Sequence, residues 1–93
     1  MKLSNIFKKQ LRKKTHELHP IIIIGAKGLT EAVQLEIERV LLDHELVKIK
    51  VHYGDRKERE EIIKTICKAR GAELIQKIGK VVVIYRKNED LLV

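Results

Sequence analysis

Aromatic side chains are almost absent from this chain of 93 residues. Phe7, Tyr53 and Tyr85 are the only three, and tryptophan does not occur. A platform of aromatic rings, of the kind on which single-stranded bases stack, is therefore not expected. The core must be built from isoleucine, valine and leucine, because apolar residues make up 44% of the chain. That fraction and the length predict one domain with a single modest core.

The chain also has little cysteine and no long apolar run. Its one cysteine, Cys67, excludes an internal disulfide and fits a reducing compartment. The basic N-terminus has no apolar segment of the signal-peptide type, and the Ile21–Ile24 run is far too short to span a bilayer. We therefore expect a cytoplasmic protein. No repeat, low-complexity tract or linker divides residues 1–93, of which 87–93 form a tail.

Catalytic and metal-binding constellations are missing as well. Ser4 and Cys67 have no partner that would activate a nucleophile. His16 and His19 are three residues apart, but no cysteine or acid cluster completes a zinc site. Neither the dinucleotide-binding nor the nucleotide-loop glycine motif occurs. We expect no enzymatic activity, cofactor, metal or small-molecule substrate.

Positive charge is plentiful. Lysine and arginine number 20 against 13 aspartates and glutamates, which gives a net charge of +7 and a calculated isoelectric point near 9.7. Such an excess favours a polyanionic partner. RNA, DNA and an anionic membrane surface all qualify on charge alone.

The first predicted helix concentrates this charge on one face. Ser4 can cap it, and the helical pattern continues to about His16 or Leu18. One stripe of this helix is apolar and contains Leu3, Phe7, Leu11 and Leu18. The opposite stripe contains Lys2, Lys9, Arg12, Lys13 and His16, with no acid among them. An ordinary solvated face and a functional basic face both fit, although like charges on a helix repel each other.

A strand followed by a glycine loop is the strongest candidate for a binding site. Ile21–Ile24 follow Pro20 and predict a short buried strand, because β-branched residues favour strands. The strand ends at a Gly-x-x-Gly loop, Gly25–Gly28, and Thr30 then caps a second helix. Free loop N–H groups, a helix start and the Lys27 ammonium would converge on one volume suited to phosphate oxygens. The loop alone is also compatible with a simple turn.

The second helix is predicted from Thr30 to about Asp43. Its buried stripe consists of Leu29, Val33, Ile37, Val40 and Leu41. Leu35 and Leu42 lie on the far side, so either the first helix or a partner is expected to cover them. Residues Leu46–Tyr53 then alternate as a half-buried strand whose outer face carries Lys48, Lys50 and His52.

The remaining elements are a third helix and a hairpin. Asp55 and Glu58 have capping-box spacing, and the helix ends at Gly71 with a stripe made of Ile62, Ile63, Ile66 and Ala69. Two strands, Ala72–Ile78 and Val81–Arg86, follow. They are joined by Gly79-Lys80, which suits a type II′ turn. The second of these strands is apolar on both faces and is predicted to be central.

These elements predict a two-layer α/β fold with a mixed four-stranded sheet. The order is α-β-α-β-α-β-β. A βαβ unit gives parallel neighbours, and the hairpin adds an antiparallel pair.

Several separated motifs, in this order, resemble the CRM domain family. They are Leu18-His19-Pro20, the isoleucine strand, Gly25-Ala26-Lys27-Gly28-Leu29-Thr30, His44-Glu45-Leu46-Val47-Lys48-Ile49-Lys50, and Ile78-Gly79-Lys80-Val81-Val82-Val83-Ile84-Tyr85-Arg86. The single-domain bacterial form, the YhbY-like RNA-binding proteins, matches best, over almost the whole chain up to Arg86.

The resemblance implies a domain that binds ribosomal RNA in precursors of the large ribosomal subunit and assists their assembly. It implies a fold similar to the C-terminal domain of translation initiation factor three. The family's loop residues carry over to Gly25, Ala26, Lys27 and Gly28. With them we assign the helix residues Lys2, Lys9, Arg12 and Lys13, and also Arg86, to RNA binding by a monomer. A membrane-surface protein and a protein-binding adaptor that uses Leu35 and Leu42 remain alternatives.

Overall fold

Three helices and four strands follow one another in the predicted order. The structure is a computed structural model that describes residues 3–17 and 22–88. The elements are α1 (Asn5–Thr15), β1 (Ile22–Ile24), α2 (Glu31–His44), β2 (Leu46–Val51), α3 (Arg56–Arg70), β3 (Glu73–Ile78) and β4 (Val81–Tyr85). The predictions that concern Leu18, Pro20 and Ile21 lie outside the described residues.

Each helix begins at the residue that the sequence predicts. The Phe7 N–H donates to Ser4 Oγ at 3.1 Å, and the Val33 N–H donates to Thr30 Oγ1 at 3.2 Å. At α3 the capping box is complete in both directions, because Asp55 and Glu58 each bond the other's backbone N–H. These contacts satisfy first-turn N–H groups that have no partner inside the helix.

The sheet is mixed and has the strand order β1-β2-β4-β3. β1 and β2 are parallel neighbours joined through α2, whereas β4 is antiparallel to both β2 and β3. The predicted mixed four-stranded sheet is confirmed, and β4 is central as expected. In the β3–β4 turn, Gly79 has φ +58°, while Lys80 does not have positive φ. That combination fits type II′ and excludes type I′.

Helices lie against both faces of the sheet. The main core is formed between the sheet and the helices α2 and α3, and it contains Ile22, Ile24, Ile37, Val40, Leu41, Val47, Ile49, Val51, Ile63, Ile66, Val82 and Ile84. A second cluster on the other face joins Leu11 of α1 to Ile75, Val83 and Tyr85. The fold class holds, but α1 adds a partial third layer to the two layers that the sequence predicts.

Two predictions about burial are wrong in detail, and the structure excludes one of the alternatives left open for Leu35 and Leu42. β1 lies at the edge of the sheet, so only alternate residues are buried and Ile23 is 60% exposed. Ala69 is exposed, because the buried stripe of α3 runs through Ile63 and Ile66. The first helix does not cover Leu35 and Leu42, since it lies on the opposite face of the sheet from α2.

Candidate nucleic-acid interface

Three connections meet at one end of the sheet. The His52 N–H donates to the Ile24 carbonyl at 2.7 Å, and the Val51 N–H donates to the Lys80 carbonyl at 2.7 Å. These bonds place residues 25–28, 52–54 and 79–80 side by side. We call this the loop end of the sheet. Of its basic side chains, Lys27, His52 and Lys80 are exposed.

The Gly25–Gly28 segment forms a closed turn. The Gly28 N–H donates to the Gly25 carbonyl at 2.9 Å, while Ala26 and Lys27 are exposed at the tip. Gly28 is buried with φ +71°, and a Cβ there would lie 2.9 Å from Cε1 of Tyr53. The fold therefore requires glycine at position 28.

Gly25 is different, because the fold makes no such demand on it. A Cβ at Gly25 would meet nothing within 4 Å, and its φ is outside the left-handed range. What its missing side chain provides is open space above the backbone, where a ligand can approach closely.

The N-terminus of α2 continues this surface. The N–H groups of Glu31 and Ala32 make no backbone hydrogen bond among the described residues, and both residues are exposed. Such groups attract anions. Two features differ from the sequence-based expectation. The Gly28 N–H is already used within the turn, and the Glu31 carboxylate adds negative charge in the first turn.

The predicted basic face of α1 is exposed. Lys9, Arg12 and Lys13 all face solvent, and none of them is in an ion pair among the described residues. No acid occurs within α1. The buried Thr15 hydroxyl donates to the Arg12 carbonyl at 2.6 Å and lies 3.0 Å from Gln76 Oε1, which fixes the end of the helix against β3. Lys2 lies outside the described residues.

The loop and α1 are not adjacent. Helix α1 packs on β3, whereas the loop follows β1 at the other edge of the sheet. Three strand spacings of about 4.8 Å separate the two edges, or about 14 Å in all. Lys48 and Lys50 of β2 lie between them, on the same face of the sheet as α1. The arrangement offers a broad basic surface that is suited to an extended polyanion.

Arg86 is the one described candidate that lies apart from this surface. Its guanidinium binds both carboxylate oxygens of Glu38 at 2.7 Å and donates to the Arg70 carbonyl at 3.0 Å. It follows β4, at the end of the sheet opposite the loop end. The hydrogen bond from Arg86 lowers the pKa of Glu38, and the same bond raises the pKa of Arg86. Arg86 therefore ties β4 to α2 and α3.

Sequence reasoning did not single out several basic residues beside the loop end. Arg56 and Arg59 lie in the first turns of α3, Lys77 lies near the end of β3, and Lys80 lies in the hairpin turn. The sequence does show that Arg56 and Arg59 are one helical turn apart, which predicts that the two side chains lie on one face of α3. Their proximity to Lys77 depends on the packing of α3 against the sheet.

Other kinds of site have less support. Within residues 3–17 and 22–88, no group of three histidine, cysteine or acidic side chains could hold a metal ion. Over the same residues, no helix has both the length and the apolar character needed to cross a bilayer. Burial raises the pKa of the Cys67 thiol.

The chain matches a known protein family over most of its length. The model of the CRS1/YhbY (CRM) domain family matches residues 3–86. The chain belongs to this family. The match spans the Gly25–Gly28 loop, α1 and all four strands of the CRM domain.

Two named relatives and one solved structure align with nearly the whole of this CRM domain. A Pseudomonas aeruginosa protein named as a probable RNA-binding protein is 41% identical over 88 residues, which cover 95% of this chain and 85% of the relative. A Haemophilus influenzae RNA-binding protein is also 41% identical over 88 residues, covering 95% of this chain and 89% of the relative. The solution structure of a Staphylococcus aureus protein described as a candidate RNA-binding protein has a TM-score of 0.80 and 33% identity. It covers 95% of this chain and 92% of the other.

Proposed function

We propose that this CRM domain binds RNA through the phosphate backbone, with the Gly25–Gly28 loop and the basic face of α1 as its contacts. The observation that carries the proposal is the exposed basic surface around Lys27, Lys9, Arg12 and Lys13 in a chain whose relatives are named for RNA binding. Aromatic residues contribute little to this surface, because Phe7 and Tyr85 pack edge to face with ring centres 5.4 Å apart. Phosphate recognition is what such a surface supports.

The same proposal extends to a biological role. The RNA is ribosomal RNA of the precursor large subunit, and the protein assists assembly as a cytoplasmic monomer that catalyses no reaction. The support for this finer role is family membership together with an exposed basic surface that is suited to backbone phosphates. A non-enzymatic assembly factor needs only reversible binding.

Salt dependence of RNA binding tests the mode of recognition. Each phosphate contact releases counterions, so affinity for a structured ribosomal RNA fragment should fall steeply as salt rises. About four to six contacts give a log–log slope of roughly −3 to −5. A nearly flat slope would contradict phosphate-dominated binding.

Fractionation of ribosomal particles tests the role. The protein should sediment with precursors of the large subunit, and crosslinking should recover ribosomal RNA attached to residues of the loop or α1. Sedimentation away from ribosomal particles, with no ribosomal RNA crosslinked, would refute the assembly role. RNA binding itself is tested separately, by measuring how much RNA the protein retains on a filter.

An adaptor function is the second candidate, because Leu35 and Leu42 are 61% and 44% exposed on the outer face of α2. A pull-down that survives ribonuclease would favour it. Flotation with anionic lipid vesicles, beside the RNA filter assay, distinguishes the membrane alternative.

A further inference from the structure

A cavity lined mainly by basic side chains lies beside the loop end. Its volume is about 340 Å³, and its lining residues are Arg56, Arg59, Lys77 and Gly79. Gly79 belongs to the hairpin turn, whose Lys80 carbonyl accepts a hydrogen bond from β2. The cavity is therefore next to the loop end of the sheet, which also contains Gly25–Gly28. Three cations around one cavity create a strongly positive volume.

Glu60 holds two of the three cations in place without neutralising all of them. Its Oε1 accepts from Lys77 Nζ at 2.9 Å and lies 3.5 Å from Arg56 Nε. The hydrogen bond from Lys77 lowers the pKa of Glu60, so the carboxylate stays charged. Among the described residues no acid lines the cavity itself, and the Asp55 and Glu58 carboxylates are engaged with backbone N–H groups of the helix start.

Arg59 contributes donors that the protein uses only in part. Its Nη1 donates to the Gly54 carbonyl at 3.1 Å, and its Nε is buried without a hydrogen-bond partner among the described residues. Buried polar groups are normally satisfied, so Arg59 has hydrogen-bonding capacity that the described residues leave unused. A phosphate oxygen is an acceptor that suits the guanidinium fork.

The nearby helix N-terminus does not supply the site. Asp55 and Glu58 already cap the first turn of α3 with their carboxylates. The side chains of Arg56, Arg59 and Lys77 therefore provide the anion recognition.

We propose that Arg56, Arg59 and Lys77 form a second phosphate subsite, which binds the RNA backbone a few nucleotides away from the phosphate at the Gly25–Gly28 loop. This subsite rests on the proposed function. The loop follows β1 at one edge of the sheet, and Lys77 belongs to β3 at the other edge. The two strands are three spacings, or about 14 Å, apart, and a few nucleotides of one RNA strand can span that distance. The two subsites would fix the direction in which the strand crosses the loop end.

The test compares two double variants with equal changes in net charge. Arg56→Gln/Arg59→Gln removes two cations from the cavity. Arg39→Gln/Lys68→Gln is the control, because both of its residues are exposed on the outer faces of α2 and α3. Lys68 lies twelve residues beyond Arg56, or about 18 Å along the helix. Affinity for a defined RNA hairpin is measured over a range of salt concentrations, together with the thermal midpoint of each variant.

The cavity variant should bind the hairpin at least tenfold more weakly than the control at low salt, because two charged contacts are lost and solvent screens part of each. Its log–log salt slope should be smaller in magnitude by about 1.4 to 1.8, from 0.7 to 0.9 for each lost contact. If the Arg59 substitution unfolds the protein, Arg56→Gln alone should show half of that change in slope, because Arg56 is 84% exposed and makes few contacts.

A direct signal comes from the Arg59 Nε–H resonance in the NMR spectrum of the wild-type protein. It should shift when the hairpin is added, and Lys68 should show no comparable change. Equal affinity and slope in the cavity and control variants would overturn the subsite, even if a Lys27→Ala variant measured beside them binds the hairpin more weakly than the wild type. Absence of RNA binding by the wild-type protein would instead overturn the proposed function itself.

Discussion

The two glycines of the loop should respond to alanine in opposite ways. At Gly25, alanine meets no neighbour within 4 Å and needs no left-handed backbone. The substitution then acts through the unfolded chain and should stabilise the fold by about 0.4–1 kcal/mol. For a domain of this size that corresponds to a thermal midpoint about 2–8 °C higher.

At Gly28 the same substitution works against the fold. The left-handed φ of +71° costs an alanine about 1–2 kcal/mol, and the Tyr53 ring must move away from a Cβ at 2.9 Å. Overpacking of that kind adds about 1–3 kcal/mol. We expect Gly28→Ala to lower the free energy of unfolding by about 2–5 kcal/mol.

The assay combines thermal unfolding with RNA affinity on the same samples. Gly25→Ala should be more stable than the wild type yet bind an RNA hairpin about tenfold more weakly, because the added methyl group keeps phosphate away from the turn. Gly25→Gln, which is larger and also neutral, should weaken binding further. Full affinity in a stable Gly25→Gln variant would show that RNA does not approach the loop.

Three further predictions concern charge and packing. Reversing Lys9, Arg12 and Lys13 to glutamate should weaken RNA binding in a filter assay and leave the circular dichroism spectrum unchanged. Leu11→Ala should instead lower the free energy of unfolding by about 2–5 kcal/mol, because Leu11 is buried between α1 and the sheet. Unchanged RNA affinity in the reversal variant would remove α1 from the interface. Glu38→Gln should cost about 1–2 kcal/mol at neutral pH in denaturant titrations. Because the hydrogen bond from Arg86 lowers the pKa of Glu38, this stabilisation is present above about pH 4.3 and disappears as the pH falls through the folded-state pKa. A cost that persists in acid would contradict the ion-pair explanation.

Much of the fold could be predicted from local patterns. The helix starts at Ser4, Thr30 and Asp55 depend on hydrogen bonds between residues three apart. They can therefore be predicted from a short stretch of sequence. The hairpin turn at Gly79-Lys80 was predictable for the same reason.

The candidate site was predicted less completely. The loop and the charged face of α1 were visible as patterns, and Arg86 was assigned to RNA binding beside them. Its bond to Glu38 joins residues 48 positions apart, which no local pattern reveals. Conversely, Arg56 and Arg59 looked like part of an ordinary helix start. Only the packing of α3 brings them beside Lys77 and Gly79.

The sequence by itself determined the order of elements, the helix caps, the turn and the surplus of positive charge, because each depends on composition or on neighbours along the chain. The tertiary structure decided that β4 lies between β2 and β3, that α1 covers the face opposite α2, and that three connections meet at the loop end. These features arise from pairing between distant segments. The strand order and the face on which each helix packs depend on which apolar faces can be buried together. Those faces are formed by residues far apart in the sequence, so no local segment determines them.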